Sequence, residues 1–161
     1  MESCLTDIIK LCEVEKEKSR LQLFIALAPL FKDYDLSVCG PIGEAYAEEI
    51  LGMIKAPKLT KGYDGIISDR KVQVKAKVLN RQLNSGFYVA INPSNFGFAD
   101  DLLVVVIPVD GTKPYHIGPI AFDLLQYKID CRGLYRYYYN HILETVQRIE
   151  LAQKKYYENY F

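Results

Sequence analysis

Neither sign of charge prevails in this chain. Its 161 residues hold 20 Lys plus Arg and 20 Asp plus Glu, for a formal net charge of zero. A protein that coats nucleic acid by charge alone needs a large surplus of cations to neutralise phosphates, so that class is excluded. Cysteine is sparse and scattered at Cys4, Cys12, Cys39 and Cys131, with no C-x-x-C spacing to suggest a zinc or redox site. Such residues fit small buried side chains in a reducing compartment. Both histidines, His116 and His141, lack an acid or cysteine partner at ligand spacing and read as structural or surface residues. Glu2, Asp7 and Lys10 interrupt any apolar run at the start, so no secretory signal is expected, and no apolar stretch approaches membrane-spanning length. The cytoplasm is therefore the expected compartment, with no membrane partner. Repeats and low-complexity linkers are also missing, which leaves one domain over 1–161 as the expectation.

What is present is a composition able to build a core, 50% hydrophobic and 25% charged. The neutral total hides an uneven distribution. Residues 55–81 hold eight basic side chains (Lys55, Lys58, Lys61, Arg70, Lys71, Lys75, Lys77 and Arg81) against Asp64 and Asp69. A basic island in an acidic body favours a localised anionic partner over a general one, although a solvated lysine face would have the same composition.

Apolar spacing predicts a helix over 6–31, capped by Thr6, with the charge run 13–18 on its wet side. A break follows at "KDYDLSVCGPIG". A second helix is expected in "GEAYAEEILGMI", with Ala47, Ile50, Leu51 and Ile54 on one stripe. Strands are then expected in "YDGIIS", "KVQVKAKV", "GFYVAIN" and the continuous apolar run "LLVVVIPV", which suits a strand buried on both faces. "YHIGPIAF" fits a short strand or a loop. A last helix is predicted over 133–157, with Leu134, Tyr138, Ile142, Val146 and Ile149 on one side. The implied class is α/β or α+β, with a mixed central sheet, a motif-bearing core over 43–125 and additional terminal helices.

The stretch from Lys61 to Gln82 concentrates chemistry. Strand alternation puts Val72, Val74, Ala76 and Val78 on a core face and Gln73, Lys75 and Lys77 on the other. A turn centred on Asp69 and Arg70 places Asp64 opposite Lys75 and Gln73 opposite Ile66. Cross-strand partners share a face, so Asp64, Gln73 and Lys75 converge. A carboxylate, an amide oxygen and a nearby ammonium suit a hard cation such as Mg²⁺ and a phosphodiester whose charge grows during hydrolysis. The same three residues would equally make a Lys75–Asp64 surface ion pair beside a solvated glutamine.

The order of these residues resembles the PD-(D/E)xK, or restriction-endonuclease-like, superfamily. Glu44 lies in "GEAYAEEIL", Asp64 in "GYDGII", and Gln73, Val74 and Lys75 form "QVK" where that pattern has (D/E)-x-K. The likeness spans roughly 43–109, more than a third of the chain. It implies an αβββαβ core. It also implies Mg²⁺, which Mn²⁺ can replace, held by Asp64, Gln73, the Val74 carbonyl and Glu44, with Lys75 orienting the attacking water. Glu48, one turn on from Glu44, is the better substitute acid; Glu49 reads as surface. Tyr63 precedes the Asp where the pattern commonly has Pro. Gln73 replaces the second acid, which removes one negative charge from the ligand set.

The activity implied is endonucleolytic hydrolysis of duplex DNA, most simply of the type II restriction kind, with a homodimer supplying two sites. A companion methyltransferase cannot be inferred from this chain. A repair or structure-selective nuclease of the same fold, and a catalytically silent binding homologue, are the alternatives. Lys61, Lys71, Lys77, Arg81 and Gln82 are candidate nucleic-acid contacts, Arg and Gln being good readers of guanine and adenine edges. The tyrosine clusters "YRYYYN" and "YYENYF" fit a dimer contact, base stacking or plain packing.

Overall fold

A computed structural model describes residue 22 and residues 39–79, 86–108 and 113–160, with side chains described for all of these except Leu79 and residues 155–160. The expected helix over 6–31 therefore lies outside the described residues, apart from Gln22. So do Arg81 and Gln82.

The described chain is mixed α/β. It contains α1 (Cys39–Leu51), β1 (Ile54–Lys55), β2 (Gly65–Ile67), β3 (Arg70–Leu79), β4 (Tyr88–Ile91), β5 (Asp101–Pro108), β6 (Tyr115–Ala121), β7 (Lys128–Ile129), β8 (Tyr135–Tyr138) and α2 (Tyr139–Tyr160). Five strands form one sheet in the order β1-β2-β3-β5-β6, and β4-β8-β7 form a second. In the larger sheet only β3 and β5 run parallel. A parallel pair needs a crossover, and here it carries β4 and a single 3-10 turn, Pro93–Asn95. Among the described residues of that crossover there is no α-helix.

β5 is buried along nearly its whole length, as an apolar run flanked by layers on both faces requires. Leu103, Val105 and Ile107 join Val72 and Val74 of β3 beneath α1. Leu102, Val104 and Val106 face the other way, onto Val89, Ile91, Tyr137 and Ile142 from the small sheet and α2.

Helix α1 begins four residues earlier than the second helix expected from the sequence. Pro41 falls in its first turn, where the missing N–H costs no hydrogen bond, so "CGPIG" starts the helix instead of breaking the chain. Its buried face is Ile42, Gly43, Ala45, Tyr46 and Ala47; Ile50 and, beyond the helix, Ile54 are exposed. Gly43 permits close approach, since a Cβ there would lie 2.6 Å from the Ala76 Cβ of β3. Gly52 stops the helix at φ +67°.

The final helix starts at Tyr139, not at 133. Residues 135–138 pair as β8 with both β4 and β7. Aromatic side chains favour the pleated surface, and cross-strand partners at Tyr88 and Ile91 outweigh the helical spacing of Leu134 and Tyr138. No helix among the described residues is long and apolar enough to cross a membrane.

Candidate functional site

The β2–β3 hairpin turns through Ser68 and Asp69, both at positive φ (48° and 64°), as a two-residue primed turn requires. Its register is Gly65↔Val72, Ile66↔Lys71 and Ile67↔Arg70. The turn centre is thus one residue earlier than Asp69 and Arg70, and the register differs by two. Asp64 is not opposite Lys75, nor is Gln73 opposite Ile66. Because strand faces repeat every two residues, a shift of two leaves every side chain on its expected face.

Asp64 is held at both backbone ends. Its N–H donates to the Val72 carbonyl at 2.8 Å, and its carbonyl accepts from the Ala56 N–H at 2.9 Å. Its Oδ2 accepts from the Val74 N–H at 2.7 Å and from Gln73 Nε2 at 2.5 Å. One carboxylate oxygen therefore closes the edge of β3 where β2 has ended. The N–H and carbonyl of a strand residue point the same way, so the Val74 carbonyl faces this edge too. Gln73 is 7% exposed, a buried amide and not the solvated side chain of the surface reading.

Burial holds the Asp64 carboxyl above its usual range. The Val74 amide pulls it back, the charge of Glu44 pushes it further up, and Lys75 and the Gln73 amide oppose that push. The hairpin and α1 thus put Glu44, Gln73 and Lys75 within electrostatic reach of Asp64. Among the described residues no ion pair joins Asp64 to Lys75. Glu44 instead binds Lys55 Nζ at 2.5 Å, with Glu48 Oε1 3.9 Å from the same ammonium. Sequence reasoning counted Lys55 in the basic island but missed this role. The pairing of Lys55 with Gly65 in the β1–β2 ladder, which brings it to Glu44, has no local signature.

The other candidates divide. Lys71 lies over Tyr63 and Lys61 over Phe98, at 5.4 and 5.1 Å from the ring centres. Lys77 leaves the site for β4, where its Nζ donates to the Tyr88 carbonyl at 3.3 Å. Asp100 and Asp101 anchor the start of β3. The Asp100 carboxylate accepts from the Lys71 N–H at 2.8 Å, and buried Asp101 takes both arms of the Arg70 guanidinium at 2.6 and 2.7 Å, which locks the start of β3 to β5. His116 accepts or donates at Nδ1 to the Tyr46 hydroxyl, 3.0 Å away, a packing role. A cavity of about 480 Å³ lies along α2, lined by His141, Glu144, Thr145 and Arg148, and none of the candidate residues lines it.

The donors gathered at the hairpin are all oxygens: two carboxylates, one amide and one carbonyl. That set suits a hard cation, and the mutual repulsion of Asp64 and Glu44 is what a cation would relieve. Among the described residues no group of three or more His, Cys, Asp or Glu is placed to hold a metal. No protein-family model matches the chain, and no curated protein matches it.

Proposed function

We propose that this chain is a Mg²⁺-dependent endodeoxyribonuclease of the restriction-endonuclease-like kind, acting on duplex DNA as a homodimer. The observation that carries the reading is the Asp64 carboxylate, partly desolvated at the open edge of β3 and under the opposed fields of Glu44 and Lys75. A perturbed acid with defined charged neighbours is a mark of a functional site. Asp64, Gln73, the Val74 carbonyl and Glu44 would hold the cation, which supplies Lewis acidity and charge neutralisation to the phosphodiester when bound. Lys75 orients the attacking water by hydrogen bonding and stabilises the negative charge that grows on the phosphate. Glu44 must exchange Lys55 for the cation to take its part.

A second reading is favoured by the same contacts. The Gln73 amide and Lys55 already satisfy Asp64 and Glu44 without a cation. On that reading the chain binds nucleic acid without cleaving it. Plasmid cleavage in Mg²⁺ or Mn²⁺ by wild type and Lys75→Ala decides between them. Nicking or linearisation by wild type, lost in the variant, supports the nuclease. Equal activity in both removes Lys75 from the mechanism, and DNA binding without cleavage in either metal establishes the silent homologue.

A further inference from the structure

The small sheet presents an aromatic and basic face that the hairpin chemistry does not use. Cross-strand partners share a face, so Tyr88 with Tyr138, Ala90 with Arg136, and Lys128 with Arg136 all lie on one side. The opposite side carries buried Val89, Ile91 and Tyr137. On the outer side the Tyr88 and Tyr138 ring centres are 5.7 Å apart. The Arg136 guanidinium sits 4.3 Å from the Tyr88 centre, with Lys77 at 5.1 Å from the same ring and Lys128 at 5.6 Å from Tyr138.

Among the described residues, the acid that pairs with this face is Asp130, and it is spent. Its side chain is 5% exposed and pairs with Arg136 at 2.7 Å, and the backbone N–H of Leu134 leads the contacts that lower its pKa to about 2. Among the described residues no carboxylate pairs with Lys77 or Lys128. The outward charge is therefore positive, distributed around two partly buried rings.

We propose that this face binds single-stranded nucleic acid, with unpaired bases stacking on Tyr138 and on the Arg136–Tyr88 pair and with Lys77 and Lys128 on the phosphates. Base faces are hidden inside a duplex, whereas an unpaired strand exposes both its bases and its backbone to rings ringed by cations. Lys77 ties the face to the hairpin. It shares the Lys75 side of β3 two residues further on, about 7 Å at the strand rise of ~3.3 Å per residue, and its ammonium reaches the Tyr88 carbonyl. A strand lying on Tyr88 and Tyr138 thus leads toward Lys75. The inference rests on the proposed nuclease only for that last connection, where it directs cleavage to substrates with an unpaired segment.

The test is fluorescence anisotropy of a labelled oligothymidine with the full chain in EDTA, so that cleavage cannot contribute. Wild type should bind, and an unlabelled duplex of equal length should compete poorly. Tyr138→Ala should weaken binding by roughly five- to a hundredfold, the range for losing one stacked base, while Tyr138→Phe stays near wild type. Lys128→Gln should reduce the slope of log affinity against log salt by about 0.7, one phosphate contact on a single strand. No oligothymidine binding, equal binding by Tyr138→Ala, or better competition by duplex overturns the proposal. Ring-dependent binding with no cleavage in Mg²⁺ overturns the nuclease and leaves this face standing; cleavage of blunt duplex unaffected by Tyr138→Ala does the reverse.

Discussion

Replacing Gln73 by glutamate probes the site where it departs from the two-acid pattern. Gln73 is buried and its amide donates to Asp64 Oδ2. An ionised glutamate in its place would set two carboxylates in contact, and at ~4 Å and an effective dielectric of ~20 that repulsion approaches 4 kcal/mol. A protonated one has nearly the shape of glutamine and can donate the same hydrogen bond, so the folded variant takes up a proton instead. The cost is then that of protonating a carboxyl of ordinary pKa ~4.3: about 3.7 kcal/mol at pH 7 and about 1 kcal/mol at pH 5. The sign follows from the raised folded pKa. The new acid is tolerated below ~pH 4.3, and stability falls as pH rises above it. Lys75, on the same face, lowers the cost at neutral pH, so these values are upper bounds. Urea denaturation of Gln73→Glu and wild type at pH 5 and 7, with and without millimolar Mg²⁺, reads each part. The variant should be much the weaker at pH 7, close to wild type at pH 5, and rescued at pH 7 by Mg²⁺ more strongly than wild type. Equal stability at both pH values would refute the Gln73–Asp64 contact. A penalty that Mg²⁺ leaves untouched would refute the cation site.

Three further outcomes follow from the same contacts. Asp64 has a raised folded pKa, so its ionisation opposes folding from about its ordinary value of 3.8 upward; Asp64→Asn keeps an oxygen for Val74 and Gln73 and should gain on wild type between pH 4 and pH 7 in denaturation experiments. Gly43→Ala should destabilise by about 1–3 kcal/mol despite alanine's better helix propensity, because its Cβ would sit 2.6 Å from Ala76 Cβ; thermal denaturation reads this, and an unchanged midpoint would show that α1 can lift from β3 freely. The Tyr137 hydroxyl is buried without a hydrogen-bond partner among the described residues, so Tyr137→Phe should be neutral or stabilising by up to about 1 kcal/mol; a clear loss in the urea midpoint would reveal a partner for that hydroxyl.

The legible features were those whose signal is local and periodic. Alternation in residues 71–78 put Val72 and Val74 under α1 and Gln73 on the opposite face, and the unbroken apolar run marked β5. The errors arose where a distant partner decides. Residues 135–138 have acceptable helical spacing and become a strand because β4, some fifty residues earlier, offers an edge to Tyr138 and Tyr135. The strand expected in "GFYVAIN" is β4, but its pairing with β8 in the small sheet has no local pattern, and neither has the role of Lys55, which meets Glu44 only through the β1–β2 ladder.

The hairpin register shows why the site was readable even where its details were not. Ser68 and Asp69 are poor advertisements for a primed turn, since neither is glycine and both must take positive φ. An error of one residue there would have turned Asp64 and Lys75 to opposite faces and dissolved the constellation. The displacement is two, an even number, so the grouping of Asp64, Gln73 and Lys75 survives while the partners within it change. The consequence is chemical. With the expected register Asp64 would face the Lys75 ammonium directly and spend its charge there. In the actual register it faces the Gln73 amide and the Val74 N–H, both neutral donors, and keeps its negative charge at the strand edge. A carboxylate hydrogen-bonded by neutral donors can still attract a cation, and the Lys75 ammonium acts on it through its field without being bonded to it.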